Sequence, residues 1–302
     1  MKKITIREVG PRDGFQNVRA QIPTETKLAI IDQIIQARVK HIQITSFVNP
    51  KAIPQMSDSL IIAEECIKRY SSRGLELSAL IPNRKGAERA TSAGLKNLTY
   101  VTSVTESHNM ANVKKTRAES IKEFAEIIEA YPDVHFSWDL SMAFGCIFEG
   151  NVAYHTLADM IEAGAKIGVK DFNLCDTNGT ANPSIIRDRI TRLLDNYPDC
   201  HFRVHIHDTR NMGMVNTLAA IECGIDDVES TLGGLGGCPF SPGASGNTAT
   251  EDLAFMLQEM GYDLDVDVEK LISAGKYELE QIPEGNFSGH LIRITEECLT
   301  QS

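Results

Sequence analysis

The chain has 302 residues, of which 42% are hydrophobic and 24% are charged, proportions that are typical of a globular protein with a large apolar core. The formal charge of −11 is spread along the sequence, which argues against a nucleic acid partner, because phosphate binding needs a concentrated basic surface. No apolar run approaches the roughly 18 residues that suggest a membrane span, so we expect no membrane segment.

Cysteine usage and the amino-terminal residues both predict a cytoplasmic protein. The seven cysteines are odd in number and scattered, and no two of them form a Cys-x-x-Cys pair. This pattern is typical of free thiols in a reducing compartment and not of a disulfide framework or a zinc ribbon. Residues 1–6 enter an alternating strand pattern directly and lack the long apolar core of a signal peptide.

Short β-rich runs recur along the chain, and each is followed by a segment with apolar residues at helical spacing. The strands are predicted near residues 4–9, 41–45, 76–81, 97–102, 134–140, 170–175, 201–207 and 226–231. The helices are predicted near residues 25–38, 57–70, 84–93, 117–130, 153–167, 184–196, 212–223 and 248–260. Eight strand–helix units predict an α/β fold that closes into a (β/α)₈ TIM barrel.

The domain organisation follows from this count of units. We predict a TIM-barrel catalytic domain over residues 1–262 and a C-terminal helical extension, residues 263–302, packed on the barrel. The alternative is an open doubly wound sheet, which normally carries a glycine-rich phosphate-binding turn after its first strand. The turn here, Gly10-Pro11-Arg12-Asp13-Gly14, carries charged residues instead, and this favours the barrel.

A barrel enzyme places its site at the carboxyl ends of its strands, so the polar residues at those ends are the candidates for chemistry. They are Arg12, Asp13, Gln43, Thr45, Ser46, Asp139, Ser141, Asp176, Thr177, His205 and His207. Asp13 is placed to supply a carboxylate to a metal; the alternative is that it only forms the turn before Gly14.

His205-Ile206-His207 is the sharpest local signal in the sequence. Residues i and i+2 of a strand point to one face, so both imidazoles are expected to project together while Ile206 points toward the helices. Two imidazoles on one face near a strand end are half of a metal site. The alternative is a structural pair that satisfies hydrogen bonds in the core. The position at the barrel mouth, beside Asp208, favours the metal.

The loop over residues 233–243 has five glycines in eleven positions, which suits a lid that closes over a substrate. Cys238 lies in this loop and is expected to enter the site on closure; the alternative is a flexible surface loop with an incidental thiol. Asn247, at the start of the last barrel helix, offers an amide oxygen or caps the helix. Two imidazole nitrogens and two oxygens favour Mg²⁺ or Mn²⁺ over structural zinc.

Several runs resemble the 3-hydroxy-3-methylglutaryl-CoA lyase family, in the same order and across nearly the whole chain. They are Val9-Gly10-Pro11-Arg12-Asp13-Gly14, Thr45-Ser46-Phe47-Val48, Pro54-Gln55-Met56, His205-Ile206-His207-Asp208-Thr209, Gly234-Leu235-Gly236-Gly237-Cys238-Pro239 and Gly243-Ala244-Ser245-Gly246-Asn247-Thr248-Ala249-Thr250-Glu251-Asp252-Leu253. The last run is long and very specific, whereas His-x-His alone is not.

The resemblance implies a metal-dependent retro-Claisen cleavage of an acyl-CoA to acetyl-CoA and a keto acid, acetoacetate in the parent case. By that resemblance, Mg²⁺ or Mn²⁺ is held by Asp13, His205, His207 and Asn247. Arg12 would steady the thioester oxygen as enolate charge builds. Cys238 would donate a proton to the enolate carbon.

Other residues complete the expected site. His205 and Gln43 join Arg12 and Cys238 as catalytic candidates. The expected substrate contacts are Ser46, Asp176, Thr177, Arg210 and Glu251. The partner implied is a small-molecule acyl-CoA, and barrels of this kind often form homodimers or higher homo-oligomers.

Two departures from the family pattern fall at the site. Gln43 stands where the family has an acidic residue, and an amide cannot accept a proton as a base. Arg210 follows His-Asp-Thr where an aromatic residue is usual, and it places a new cation near the mouth. These departures keep open a related aldolase, lyase or Claisen-condensing enzyme with another hydroxyacyl-CoA or hydroxy acid. A non-catalytic metal-binding barrel is the second alternative.

Overall fold

The computed structural model describes residues 2–237 and 246–294. Its barrel strands are β1 (Lys3–Glu8), β2 (His41–Ser46), β3 (Glu76–Ile81), β4 (Asn97–Ser103), β5 (His135–Ser141), β6 (Asp171–Asp176), β7 (His201–Ile206) and β8 (Asp227–Ser230). Each strand pairs in parallel with the next, and β8 pairs in parallel with β1. This closure confirms the predicted TIM barrel, and the open doubly wound alternative is wrong.

Helices surround the barrel, and the eight predicted ones are present with small shifts at their ends. The helices are α1 (Thr24–Gln36), α2 (Ser59–Tyr70), α3 (Arg84–Ser92), α4 (Glu106–Val113), α5 (Arg117–Ala130), α6 (Tyr154–Lys166), α7 (Pro183–Asn196), α8 (Gly213–Cys223), α9 (Thr250–Glu259) and α10 (Val268–Gln281). The sequence did not reveal α4, because this helix buries the polar residues His108 and Asn109 and has no apolar stripe. Within the described ranges, no helix has both the length and the apolar character needed to cross a bilayer.

The segment after α9 is attached to the barrel at two places. A short strand, β9 (Asp263–Leu264), pairs in parallel with β1, and α10 packs against α1 and α9. The side chains of Leu271 and Ile272 are buried on the inner face of α10. Residues 295–302 of the predicted extension lie outside the described residues, and the boundary at residue 262 stays a prediction.

Side chains along the barrel strands alternate between the helices and the barrel interior. On β5, the outward-facing Trp138 packs against Phe124 of α5 with ring centroids 5.3 Å apart. The next residue, Asp139, lines a cavity inside the barrel mouth. The apolar core therefore lies between the strands and the helices, and the inward positions are left for polar residues.

A circuit of polar side chains crosses the barrel interior beneath the strand ends. Hydrogen bonds join neighbouring members of the circuit in these pairs: Arg12 and Gln43, Gln43 and Thr99 (3.2 Å), Thr99 and Ser137 (3.1 Å), Ser137 and Arg203 (2.7 Å), Arg203 and Glu229 (3.1 Å), Glu229 and Asn173 (2.8 Å), and Asn173 and Asp139 (3.0 Å). Asp139 faces Arg12 again and closes the circuit. Branched apolar residues usually fill this layer. Buried polar groups need partners, and the polar circuit supplies them.

A second polar arrangement lies at the opposite, amino-terminal rim of the barrel. The Asp171 carboxylate accepts from two partly exposed histidines, His201 at 2.9 Å and His135 at 3.1 Å. The hydrogen bonds with Asp171 raise the pKa values of both histidines. They also hold the pKa of Asp171 below its ordinary range, although burial alone would raise it.

We expect Asp171→Asn to lower the melting temperature most between about pH 4 and pH 6.5, where the carboxylate is ionised and the histidines are protonated. The raised pKa values of the two histidines stabilise the folded protein fully at any pH below the pKa that histidine has in the unfolded chain. This stabilisation is lost as the pH rises through the raised pKa values of the folded protein. The lowered pKa of Asp171 stabilises the folded protein at any pH above the pKa that this carboxyl group has in the unfolded chain. Thermal melts of both proteins from pH 4 to pH 9 measure the effect. A difference in melting temperature that is constant across this range would contradict it.

Candidate active site

The barrel mouth contains a cavity of about 360 Å³ at the carboxyl ends of the strands. Seven of the predicted candidates line it: Arg12, Asp13, Asp139, Ser141, Thr177, His205 and His207. The structure therefore brings together residues that are far apart in the sequence. The cavity falls at the end of the barrel where TIM-barrel enzymes carry their active sites.

The turn after β1 fixes the first two of these residues. The N–H groups of Arg12 and Asp13 both donate to the carbonyl of Val9, at 3.0 and 2.7 Å. The carboxylate of Glu8 accepts from the N–H of Gly10 at 2.7 Å. A Cβ atom at Gly10 would lie 2.6 Å from that carboxylate, so the turn requires glycine there.

Asp13, His205 and His207 form a buried three-donor cluster, which we call the metal triad. The Nε2 atoms of His205 and His207 are 3.1 Å apart, and each lies 3.7 Å from Asp13 Oδ2. All three ligand atoms lie within 4.8 Å of one another. The prediction that both imidazoles share one strand face is confirmed. Two imidazole nitrogens and a carboxylate are a donor set that divalent cations accept.

Electrostatics keep the metal triad suited to a cation. Burial alone would raise the pKa of Asp13, but the Arg12 guanidinium and the two imidazoles hold it well below its ordinary range. Burial and the neighbouring His205 lower the pKa of His207 to about 4. Asp13 is therefore ionised and His207 neutral at pH 7, the states in which each can donate an electron pair to a metal.

Two buried atoms beside the metal triad add to the fit. The Asn247 amide donates to Asp13 Oδ2 at 2.7 Å, which places Asn247 against the triad. Its Oδ1 atom has no hydrogen-bond partner among the described residues, and the same is true of His207 Nδ1. Buried polar atoms are rarely left unsatisfied. The triad with Asn247 fits a divalent cation that prefers oxygen and nitrogen ligands.

Glu229 on β8 holds His205 from behind. Its Oε2 atom lies 3.1 Å from His205 Nδ1, so this ring nitrogen carries the proton. The other ring nitrogen, Nε2, is then free of a proton and faces Asp13 and His207. Arg203 and Asn173 hold the Glu229 carboxylate in turn, at 3.1 and 2.8 Å. Sequence reasoning missed this support. The signal was present, because Arg203 and His205 lie on one face of β7, and two buried donors there need an acceptor.

Arg12 lines the cavity beside Asp13. Its guanidinium donates to Gln43 Oε1 and to Asp13 Oδ1, and a third nitrogen lies 3.9 Å from Asp139 Oδ2. Gln43 also donates to Thr99 at 3.2 Å, which orients its amide with the oxygen toward Arg12. Gln43 therefore acts here as a hydrogen-bond acceptor that positions Arg12.

Four of the predicted substrate contacts are not among the residues that line the cavity. Ser46 is buried, Arg210 is exposed, and the carboxylate of Asp176 accepts from the backbone N–H groups of Thr180 and Ala181, both at 3.1 Å. Burial raises the pKa of Asp176 to about 6 against these bonds. Glu251 is buried on α9 and accepts from the N–H of Gly233 at 2.9 Å, which ties it to the glycine-rich loop. Thr177 does line the cavity.

Cys238, the predicted proton donor, lies outside the described residues, as do residues 239–245. The described part of the loop reaches the site, because Gly237 lines the cavity. The part of the cavity wall that α4 builds carries no strong sequence signal. Its cavity-lining residues are His108, Asn112, Val113 and, just beyond the helix, Lys114.

The profile of the HMGL-like family matches residues 3–277. The hydroxymethylglutaryl-CoA lyase of Bacillus subtilis is 37% identical over 278 residues, 91% of this chain and 92% of that one. The (R)-citramalyl-CoA lyase of Chloroflexus aurantiacus is 36% identical over 286 residues, 92% of this chain and 90% of that one. Both relatives are covered nearly end to end.

Solved structures agree with these relatives. An HMG-CoA lyase from Acinetobacter baumannii, in complex with coenzyme A and 3-methylmalate, is 35% identical with a TM-score of 0.91, covering 96% of this chain and 94% of that one. The Bacillus subtilis HMG-CoA lyase structure has a TM-score of 0.89 at 36% identity, covering 94% of this chain and 95% of that one. The chain therefore belongs to the HMGL-like family and is a carbon–carbon lyase.

Proposed function

We propose that the protein cleaves 3-hydroxy-3-methylglutaryl-CoA to acetyl-CoA and acetoacetate with the help of Mg²⁺ or Mn²⁺. The observation that carries this proposal is the contact of Arg12 with Asp13 inside one buried cavity. The guanidinium of Arg12 and the metal triad therefore line the same cavity, which is large enough for a substrate. Retro-Claisen cleavage needs this combination, because negative charge builds on a thioester oxygen while a hydroxyl group loses its proton.

Each residue has a part in this scheme. Asp13, His205, His207 and Asn247 would hold the cation, which supplies Lewis acidity that lowers the pKa of the substrate hydroxyl. Arg12 presents guanidinium N–H groups to the thioester oxygen, in a buried site where such donors act strongly. Cys238 would give a proton to the enolate carbon. Gln43 holds Arg12 in place.

The direct test is to incubate the purified protein with Mn²⁺ or Mg²⁺ and 3-hydroxy-3-methylglutaryl-CoA and to follow release of acetyl-CoA and acetoacetate. We expect metal-dependent turnover on the order of 10 s⁻¹, the median for enzymes. Protein treated with a chelator is expected to be inactive until metal is returned. Bound Mn²⁺ without any turnover of this substrate would overturn the proposal.

A second candidate is cleavage of citramalyl-CoA to acetyl-CoA and pyruvate. The citramalyl-CoA lyase relative is about as similar to this chain as the hydroxymethylglutaryl-CoA lyases are. Gln43 and Arg210 also depart from the family pattern. The two substrates, compared by kcat/KM in the same assay, decide between the candidates. If Arg210 takes part in the choice, Arg210→Tyr shifts the ratio of the two kcat/KM values.

Glu229→Gln is expected to weaken Mn²⁺ binding by about 10- to 100-fold, because a glutamine holds the His205 ring less firmly than a carboxylate does. The melting temperature is also expected to fall, since Arg203 loses its buried anionic partner. Mn²⁺ titration followed by electron paramagnetic resonance measures the affinity. Glu76→Gln makes the same change at the far rim of the barrel and is the matched control. Equal Mn²⁺ affinities in both variants would rule out this role of Glu229.

The remaining assignments are proposals of the same kind. Ser46, Asp176, Thr177, Arg210 and Glu251 are proposed to contact or support the bound substrate, and His205 to take part in catalysis as a ligand. We also propose a cytoplasmic location, a homodimer or higher homo-oligomer, and a catalytic domain over residues 1–262. Mass measurement in solution tests the oligomeric state.

A further inference from the structure

Asp139 is a carboxylate of the active-site cavity that the mechanism above leaves unused. Of the described residues that line the cavity, Asp13 and Asp139 are the acidic ones. Asp13 is committed to the metal triad, to Arg12 and to the Asn247 amide. Asp139 is buried near the end of β5, and it faces the same guanidinium from another nitrogen.

The two oxygens of Asp139 have different surroundings. Oδ1 accepts from the Asn173 amide at 3.0 Å, which fixes the orientation of the carboxyl group. Oδ2 lies 3.9 Å from the nearest Arg12 nitrogen, beyond hydrogen-bond distance. One oxygen therefore holds the Asp139 carboxyl group in place, and the other makes no hydrogen bond to Arg12. That second oxygen can exchange a proton with a molecule in the cavity.

The electrostatic surroundings suit a proton acceptor. The charged and titratable groups that face Asp139 are Arg12 after β1, Cys175 on β6, Arg203 on β7 and Glu229 on β8. Burial and the Glu229 charge raise the pKa of Asp139 above its ordinary value, against the opposing effect of the two arginines. A base works best when its pKa lies near the working pH. The raised pKa brings Asp139 closer to neutral pH and makes it a better proton acceptor than an ordinary surface aspartate.

The neighbouring candidate on β2 cannot fill this role. Gln43 approaches Arg12 from the other side, and an amide does not accept a proton at neutral pH. Arg12 therefore has the neutral Gln43 at its Nε atom and carboxylates at its two terminal nitrogens. Only one of those carboxylates, Asp139, is not a member of the metal triad.

We propose that Asp139 Oδ2 accepts the proton of the substrate's tertiary hydroxyl group as the carbon–carbon bond breaks. The hydroxyl O–H bond breaks and the proton joins the carboxylate. The oxygen becomes the carbonyl of the keto acid, and the electron pair of the carbon–carbon bond passes to the thioester as an enolate that Arg12 stabilises. The enolate carbon then takes a proton from the thiol that the proposed function names as donor, which gives acetyl-CoA. Asp139 passes its proton to water, and water returns a proton to the thiolate. This role rests on the proposed acyl-CoA cleavage.

The test is the pH profile of kcat/KM in the metal-loaded protein. The wild type is expected to lose activity as the pH falls, because Asp139 becomes protonated. Asp139→Asn is expected to lower kcat by about 10²- to 10⁴-fold and to remove this acidic limb. Mn²⁺ affinity, measured by electron paramagnetic resonance, is expected to stay within about threefold of the wild type. Asp171→Asn makes the same change at the amino-terminal rim of the barrel. This control is expected to keep both the activity and the acidic limb of the pH profile.

A second variant separates proton transfer from a positioning role. Asp139→Ala opens space for a small carboxylate, so added formate is expected to restore part of kcat in this variant but not in Asp139→Asn. A lower kcat with an intact acidic limb and no formate rescue would show that Asp139 only positions Arg12, and it would overturn the proposal. Loss of Mn²⁺ binding in Asp139→Asn would overturn it too. A wild type that cleaves no acyl-CoA would refute the proposed function, and this step with it.

Discussion

His207→Ala is expected to lower kcat/KM by at least about three orders of magnitude. The bound cation supplies several kcal/mol of transition-state stabilisation, and each 1.36 kcal/mol corresponds to a factor of ten in rate. The variant removes one of the three donors whose atoms lie 3.1 to 3.7 Å apart. Mn²⁺ affinity is expected to fall in parallel. Both quantities are measured on the same preparation, by initial rates and by electron paramagnetic resonance.

The metal-free variant is expected to keep its fold. His207 is neutral at pH 7 because its pKa is lowered to about 4, and its Nδ1 atom has no hydrogen-bond partner among the described residues. Its removal therefore breaks no buried charge pair of the metal-free protein. His155→Ala, on the exposed side of α6, is the matched control and is expected to behave like the wild type. An active His207→Ala protein would show that the triad is a structural cluster and that catalysis does not depend on a cation held there.

Arg12→Gln is expected to lower kcat by about 10²- to 10³-fold with a smaller change in KM, because its donors stabilise charge that develops only in the transition state. Mn²⁺ affinity is not expected to fall, since the variant removes a positive charge beside Asp13. Loss of activity together with retained or tighter Mn²⁺ binding is therefore the result expected if Arg12 stabilises the transition state. Steady-state kinetics and Mn²⁺ titration measure the two effects.

Arg12→Lys is the matched variant for this experiment. A lysine keeps the positive charge beside Asp13 and Asp139 but not the planar fork of donors. We expect it to preserve the melting temperature better than Arg12→Gln does and still to lose most of kcat. A large rise in KM with unchanged kcat in both variants would mean that Arg12 binds ground-state substrate only, contrary to the proposed role.

The sequence predicted the barrel because strand and helix periodicities are local properties. The strands that enclose the site, such as β5 and β7, bury one face under helices, and this burial shows as alternation in the residues themselves. His205 and His207 were predicted to share a face for the same reason. The motif after β1 indicated charged chemistry at a strand end. The helix α4 was not predicted, because it buries His108 and Asn109 and shows no apolar period.

Contacts between distant strands are decided by closure and register, which no local pattern contains. Glu229 and His205 are 24 residues apart and meet because β7 and β8 pair with these two residues in register. Asp139 meets Arg12 across the barrel interior, because the closed sheet turns both side chains toward one axis. The sequence by itself determined the barrel, the imidazole pair and the family. Only the tertiary structure decided which carboxylate faces Arg12 and which one supports His205, because those neighbours depend on the closed geometry of the barrel.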